Sequence, residues 1–247
     1  LDLYLNFGSG FHSNDARGVV RRTNPVTPLT RGLGYEAGVR VHFGDRFDFA
    51  VSAWGLDLES ELVWVGDAGT TEARGPTRRL GVTSEVRWAI LPWLRADLDV
   101  SFADATYTAN AGNSNAVALA PQVVVSAGIS ARHRIGVFGS VRLRAVGDRP
   151  ATEDRSLTAQ GFAILSAQLG YRRGWWEIAL QAENLFDSEW REAQFANDTR
   201  LRDECVGPRA AGCNPVAPGQ RYGTVSDVHF TPGTPFTAQA RLTLYMR

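Results

Sequence analysis

The chain alternates apolar and polar residues over several long stretches. The clearest is 236–247, where every second residue from Phe236 to Met246 is apolar and the residues between them include Gln239 and Arg241. Successive side chains of a β-strand point to opposite faces, so this run predicts a strand with one apolar and one polar face. Comparable alternation runs through 1–7, 35–43, 94–102, 135–144 and 176–183.

Alternation alone leaves two architectures open. Charges on the polar face suit the wall of a transmembrane β-barrel, whose apolar face meets lipid. A water-soluble antiparallel sheet with its apolar face on a core gives the same period.

The lengths of the connections favour the barrel. Four joins are tight turns and five are long, and they alternate, so that short turns fall on one rim and long loops on the other. Bacterial outer-membrane barrels have short periplasmic turns and longer extracellular loops. The sequence therefore predicts an all-β, antiparallel transmembrane β-barrel with both chain ends at the periplasmic rim. The ten predicted strands are 1–10, 31–44, 46–58, 77–91, 93–107, 121–133, 134–147, 158–172, 174–187 and 234–247. The predicted long loops are 11–30, 59–76, 108–120, 148–157 and 188–233.

Composition is compatible with insertion by strands. Hydrophobic residues make up 44% of the chain and the mean hydropathy is −0.19, and no apolar run is long enough for a membrane-spanning helix. The formal net charge is zero and the pI is about 7.1, which argues against a nucleic-acid partner held by bulk charge. All basic residues apart from histidine are arginine.

Aromatic residues cluster near the predicted strand ends. In a barrel they would form interfacial girdles, whereas in a soluble sheet they would cap a core. They are Phe7, Phe11, Trp64, Trp88, Trp93, Tyr107, Tyr171, Trp175, Trp176, Phe186 and Trp190.

The two cysteines lie in the longest predicted loop. Cys205 and Cys213 are close in sequence and surrounded by glycine and proline. This spacing predicts a local disulfide formed in an oxidising periplasm, with free thiols as the alternative. Two cysteines without histidine neighbours make a poor zinc site.

Four motifs resemble the barrels of TonB-dependent outer-membrane receptors. The most specific is 11–18, Phe-His-Ser-Asn-Asp-Ala-Arg-Gly. Three others fall in the family's order: Ala120-Pro121, Asn184-Leu185-Phe186-Asp187 and Pro232-Gly233-Thr234-Pro235. Trp190 stands where the family usually has tyrosine, and Phe236 where it commonly has arginine. The chain stops at Arg247, one position before an expected terminal aromatic residue.

The resemblance implies a fold and a function. Such receptors resemble a 22-strand barrel filled by an N-terminal plug, so residues 1–247 are expected to be the C-terminal ten strands, without the plug. The family takes up a scarce small-molecule ligand, such as an iron-siderophore or another metal complex, across the outer membrane of Gram-negative bacteria. The expected partners are outer-membrane lipid, the barrel-assembly machinery and the TonB complex, which would act through the plug.

Candidate ligand contacts lie in the first predicted outer loop, at Asn14, Asp15 and Arg17. Polar groups on loops over a rigid scaffold are frequent binding residues, but Asn and Asp side chains also stabilise turns by local hydrogen bonds. Charges expected in the lumen could guide a solute, or could pair with neighbouring strands or the plug. They are Arg40, Glu85, Arg87, Asp97, Arg142, Glu177, Glu183 and Arg241.

Two other function classes remain open. A small autonomous barrel would be a passive pore. An outer-membrane hydrolase would need a catalytic cluster, and His12-Ser13 has no acidic partner at a defined position. The sequence contains no common zinc-protease, serine-hydrolase or nucleotide-binding motif, and no catalytic residue, cofactor or metal ligand is predicted.

Overall fold

A computed structural model describes residues 1–13, 16–20, 22, 25–65, 70–109, 114–200 and 223–246, with side chains for all of these except Arg17 and residues 61–73. The described residues form sixteen strands and one short helix. They are β1 Asp2–Ser13, α1 Ala16–Val19, β2 Leu29–Phe43, β3 Phe47–Leu58, β4 Glu61–Val65, β5 Thr70–Arg74, β6 Thr77–Leu91, β7 Leu94–Tyr107, β8 Val123–Arg132, β9 Val137–Val146, β10 Arg149–Pro150, β11 Thr158–Ala159, β12 Phe162–Arg173, β13 Trp176–Glu183, β14 Arg191–Thr199, β15 Val225–Pro232 and β16 Thr237–Leu244.

Ten of these strands form one antiparallel sheet in the order β1-β2-β3-β6-β7-β8-β9-β12-β13-β16. They correspond one to one with the ten strands predicted from alternation, so the predicted fold class is confirmed. Boundaries shift by a few residues. For example, β13 ends at Glu183 rather than residue 187, because Asn184 has a φ of 50° and turns the chain.

The loop prediction was incomplete. Segments 59–76 and 188–233 were expected to be loops, but β4 pairs with β5 and β14 pairs with β15 as separate hairpins. Strands β10 and β11 form a smaller hairpin between β9 and β12. Consequently one end of the sheet, the short-turn end, carries only tight turns, and the opposite end, the long-loop end, carries these hairpins.

The sheet has one polar and one apolar face, and the apolar face is uncovered. On β1, Leu3, Leu5 and Phe7 are 75%, 82% and 76% exposed. On β12 and β16, Leu169 and Leu242 are 63% and 65% exposed. A soluble sheet would bury this face under a second layer. The described part of the chain supplies no such layer, so the uncovered face favours lipid as its surroundings.

Glycines make room for aromatic rings on both faces. The Tyr4 ring lies over Gly38 on the polar face, and the Tyr35 ring lies over Gly55 on the apolar face. In each case a Cβ on the glycine would collide with the ring. Glycine at these two positions therefore leaves space for the rings.

Several of the best-buried side chains lie at the long-loop end. Ala116 and Ala159 are 1% and 0% exposed, and Tyr107 is 4% exposed. The Ala116 amide donates to the Glu153 carbonyl at 3.0 Å, and the Val117 amide donates to the Ala105 carbonyl at 3.0 Å. Segment 116–119 thus ties the end of β7 to the loop after β10. None of the described helices is long and apolar enough to cross a membrane.

Candidate functional site

The polar face carries cross-strand ion pairs, and the central one joins β7 to β9. Arg142 donates to Asp97 through Nη1 at 3.1 Å and Nη2 at 3.2 Å. The intervening strand β8 places Gly128 in register with both residues. A Cβ at Gly128 would lie 2.8 Å from Arg142 Nη2 and 2.9 Å from Asp97 Oδ1. Glycine at this position therefore lets the pair form across a whole strand.

A second group of polar contacts joins β3, β6 and β7. Arg87 donates to Asp99 at 2.8 Å, and its Nη2 lies 3.9 Å from Glu85 Oε2. Farther along the same strands, Trp54 Nε1 donates to Thr83 Oγ1 at 3.0 Å, and Thr83 Oγ1 lies 2.8 Å from Ser101 Oγ. Thr83 and Ser101 face each other in register, whereas Arg87–Asp99 and Trp54–Thr83 are diagonal pairs on neighbouring strands. Facing and diagonal cross-strand pairs both stabilise antiparallel sheets.

A third group lies on the last strands at the short-turn end. Glu177, 8% exposed, accepts a hydrogen bond from Tyr245 Oη at 3.1 Å and lies 3.8 Å from Arg241. The Arg172 guanidinium stacks 4.1 Å from the centre of the Tyr245 ring. The last residues of the described chain are therefore held to β12 and β13.

A polar recess opens between β1, β2, β3 and β6, with a volume of about 560 Å³. Asp2, Glu36 and Glu85 supply three carboxylates, and Arg40 supplies one cation. Glu36 accepts from Asn6 Nδ2 at 3.1 Å. Beside the recess, His42 contacts Asp48 and lies 3.3 Å from Asp2. The excess of carboxylates suits a basic group from outside the chain.

Two arginines at the long-loop end make no ion pair with another described residue. Arg144 lies 5.4 Å from the Phe162 ring centre and 5.3 Å from the Trp190 ring centre. Arg149 Nη1 is buried without a hydrogen-bond partner among the described residues. Burial lowers the pKa of Arg149, although the nearby charge of Asp148 opposes that shift.

Two of the sequence motifs meet at this end and have a structural role. Asn184, 3% exposed, donates from Nδ2 to the carbonyls of Ser188 at 2.9 Å and Thr234 at 3.2 Å. Asp187 Oδ1 accepts from the Phe236 amide at 2.8 Å. Trp190 packs its ring on Gly233. The motif 184–187 therefore positions the start of β16, which sequence reasoning did not foresee because the two segments are far apart in the chain.

The long-loop hairpins are tied together by one side chain. Gln194, 4% exposed, accepts from the Gln160 amide at 2.9 Å and donates to the Gln160 carbonyl at 2.7 Å.

In the adjoining loop, hydrogen bonds from Thr152 and Ser156 lower the pKa of Asp154 to about 2.

The structure describes only part of the candidate residues from the sequence. Asn14, Asp15, Cys205 and Cys213 lie outside the described residues, as does the side chain of Arg17, whose backbone is in α1. The contacts and the disulfide proposed for them therefore stay predictions. Among the predicted lumenal charges, Glu85, Arg87, Asp97, Arg142, Glu177 and Arg241 occur in the ion pairs described above. No group of three or more metal-ligating side chains occurs among the described residues.

The fold and its polar face define a segment of a membrane β-barrel wall. The family model described as TonB dependent receptor-like, beta-barrel matches residues 1–185, and the chain belongs to this family. No curated protein sequence matches it significantly.

Solved structures of low sequence identity share the fold. The ferric yersiniabactin uptake receptor FyuA from Yersinia pestis has a TM-score of 0.67 and 15% identity, covering 99% of this chain and 35% of FyuA. The siderophore receptor PiuA from Acinetobacter baumannii has a TM-score of 0.69 and 10% identity, covering 98% of this chain and 34% of PiuA. The ferric-catecholate import receptor Fiu from E. coli K12, in its closed form, has a TM-score of 0.66 and 16% identity, covering 98% of this chain and 33% of Fiu. The chain thus spans about a third of each receptor.

Proposed function

We propose that this chain forms part of the wall of a Gram-negative outer-membrane receptor that takes up a scarce ligand with energy supplied through TonB. The observation that carries the proposal is the ten-stranded sheet with an uncovered apolar face and a polar face of ion pairs. Family membership and the similar receptors support it. In this orientation the short-turn end is periplasmic and the long-loop end is extracellular.

The wall is proposed to be part of a larger barrel. In the described sheet β1 pairs only with β2, and β16 only with β13. A passive ten-strand pore would need β1 and β16 to pair with each other, which these registers do not provide. Open edges expose unpaired backbone groups that are costly in lipid, so further strands are expected between β16 and β1 of a barrel like those of the matched receptors.

The polar recess is proposed to contact a plug domain. Its three carboxylates and one arginine face the side of the sheet that would enclose the lumen. Basic side chains of a plug would balance this charge, and the plug would carry the contact with TonB.

The ligand is proposed to be an iron-siderophore or another metal complex, as the names of similar receptors indicate for those proteins. Arg144 and Arg149 at the extracellular end would favour an anionic complex. Asn14, Asp15 and Arg17 remain candidate contacts in the first outer loop.

Uptake can be tested with the full-length gene that encodes this chain. A host lacking its own siderophore receptors would be grown under iron limitation with a panel of ferric siderophores, with and without functional TonB. The proposal expects growth and uptake of radiolabelled iron with at least one siderophore, and loss of both without TonB. Uptake that is equal in the two strains would contradict TonB coupling and favour a passive pore.

A further inference from the structure

A groove crosses the apolar face over strands β8, β9, β12, β13 and β16, with a volume of about 750 Å³. We call it the wall groove. Its floor is made of small residues because Ala167, Ala182 and Ala238 are direct neighbours across β12, β13 and β16. On the other side, Gly139 of β9 faces Ala131 of β8.

Larger apolar side chains border this floor. Leu169 and Leu180 are 63% and 61% exposed, and Ile129 and Val141 are 54% and 45% exposed. These side chains project beside the alanines and give the groove its walls. The wall groove is thus an open apolar depression that no described residue fills.

Two basic turns lie at the short-turn end of the same strands. Residues 133–136, His-Arg-Ile-Gly, join β8 to β9. Arg173, the last residue of β12, is followed by the turn Gly174-Trp175 that leads into β13. The two turns are adjacent, because the Arg172 amide donates to the Gly136 carbonyl at 2.9 Å. Neither turn contains a carboxylate. Arg134 and Arg173 are exposed and make no ion pair with another described residue.

Tyr171 lies between Arg173 and Leu169 on the same face of β12, and exposed apolar side chains occupy the turns themselves. Ile135 and Trp175 are 65% and 64% exposed. The Tyr171 ring packs 5.7 Å from the Trp176 ring and contacts the Gly136 position. Aromatic rings favour the headgroup level of a bilayer, so the strands present cations, then aromatic rings, then an apolar groove, in the order of a phospholipid molecule.

We propose that the wall groove and the two basic turns form a binding site for an anionic phospholipid of the inner leaflet. Arg134 and Arg173 would contact the phosphate, since arginine matches phosphate geometry well. The groove has about five times the volume of a cavity that takes one benzene ring, which is enough for one acyl chain. The site rests on the proposed membrane location but is independent of the transported ligand.

Lipid retention tests the site directly. The full-length receptor would be purified after exchange into phosphatidylglycerol or phosphatidylethanolamine of the same chain length, and retained lipid would be counted by native mass spectrometry. We expect one retained phosphatidylglycerol molecule and weaker retention of phosphatidylethanolamine. Arg134→Gln and Arg173→Gln should each reduce the preference about fivefold, because each arginine near an anionic headgroup contributes by about this factor. Arg155→Gln, in an extracellular loop, is the matched charge control and should retain lipid normally.

A second pair of variants tests the groove. Ala167→Phe fills the floor of the groove and should reduce retention of both lipids. Ala145→Phe adds the same ring to the apolar face outside the groove and should leave retention unchanged. The site would be disproved by equal retention of the two lipids, by no retained lipid, by unchanged retention in the arginine variants, or by a co-purifying protein displaced by Ala167→Phe. Iron uptake by the same variants separates this result from the proposed function, because a receptor that transports normally but retains no lipid contradicts only the lipid site.

Discussion

Arg142 and Asp97 lie 45 residues apart in sequence. They form an ion pair with two hydrogen bonds across Gly128 of the strand between them. This geometry makes Gly128 a positional requirement of the polar face, because the space that a Cβ would occupy is taken by the charged atoms. Gly34 differs from it, since a Cβ there meets no atom within 4 Å.

Replacement of Gly128 by alanine is expected to break this pair. Gly128→Ala should destabilise the folded receptor by about 0.2–1 kcal/mol, the usual range for a solvent-accessible pair. Urea unfolding in detergent would measure the change. Gly34→Ala is the control and should be no less stable than wild type. A cost at Gly128 that persists unchanged in an Asp97→Asn background would show that the pair is not its cause.

Loss of Asn184 is expected to loosen the start of β16. The side chain makes three hydrogen bonds, including one from the Ser188 amide at 3.0 Å, and is almost fully buried. Asn184→Ala should therefore cost about 1–3 kcal/mol, because it leaves buried polar groups unpaired. Faster hydrogen exchange at the amide of Phe236 would locate the effect.

Phe186 provides the control within the same motif. Its side chain is 77% exposed, so Phe186→Ser should leave exchange near Phe236 unchanged. If both variants speed exchange equally, the motif acts through the turn as a whole rather than through Asn184.

Acidification is expected to loosen the loop around Asp154. Ser156 donates to Asp154 from its amide at 3.1 Å and from its hydroxyl at 2.7 Å, and the pKa is lowered from 3.8 to about 2. A carboxylate with a lowered pKa contributes stability above the unfolded-state value and loses it as the pH falls through the folded-state value. The contribution should thus be full above pH 4 and lost between about pH 4 and 2.

Chemical-shift titration of the Ser156 amide would follow this transition. In Asp154→Asn the transition should be absent. A midpoint near 4 in the wild type would show that the hydrogen bonds to Thr152 and Ser156 do not hold the charge.

The ten strands of the sheet could be predicted because successive side chains of a strand point to opposite faces, which appears in the sequence as alternating apolar and polar residues. Sequence reasoning also placed Arg142, Asp97 and Glu177 on the polar face by their position in the alternation. It could not pair Arg142 with Asp97, because register across three strands depends on tertiary structure. The hairpins β4–β5 and β14–β15 were missed because they lie in turn-rich segments between long strands. The wall groove was missed because it depends on alanines from separate strands coming into register.

The most direct test of the membrane assignment compares two neighbouring positions of β16. Leu242 is on the apolar face and 65% exposed, while Thr243 is on the polar face in register with Glu177. An arginine on the lipid face costs about 2–4 kcal/mol at the bilayer midplane and about 0–1 kcal/mol near the interfaces, whereas a lumenal position tolerates it. Leu242 is in register with Ile178 and, through it, with Tyr171, so it lies toward the short-turn interface and its cost should fall between these ranges. We therefore expect Leu242→Arg to reduce the amount of folded receptor in the outer membrane and Thr243→Arg to leave it near the wild-type level. Heat-modifiable mobility of membrane fractions on gels would measure this amount. If both variants assemble at wild-type levels, the apolar face is not in lipid and the barrel-wall assignment is wrong.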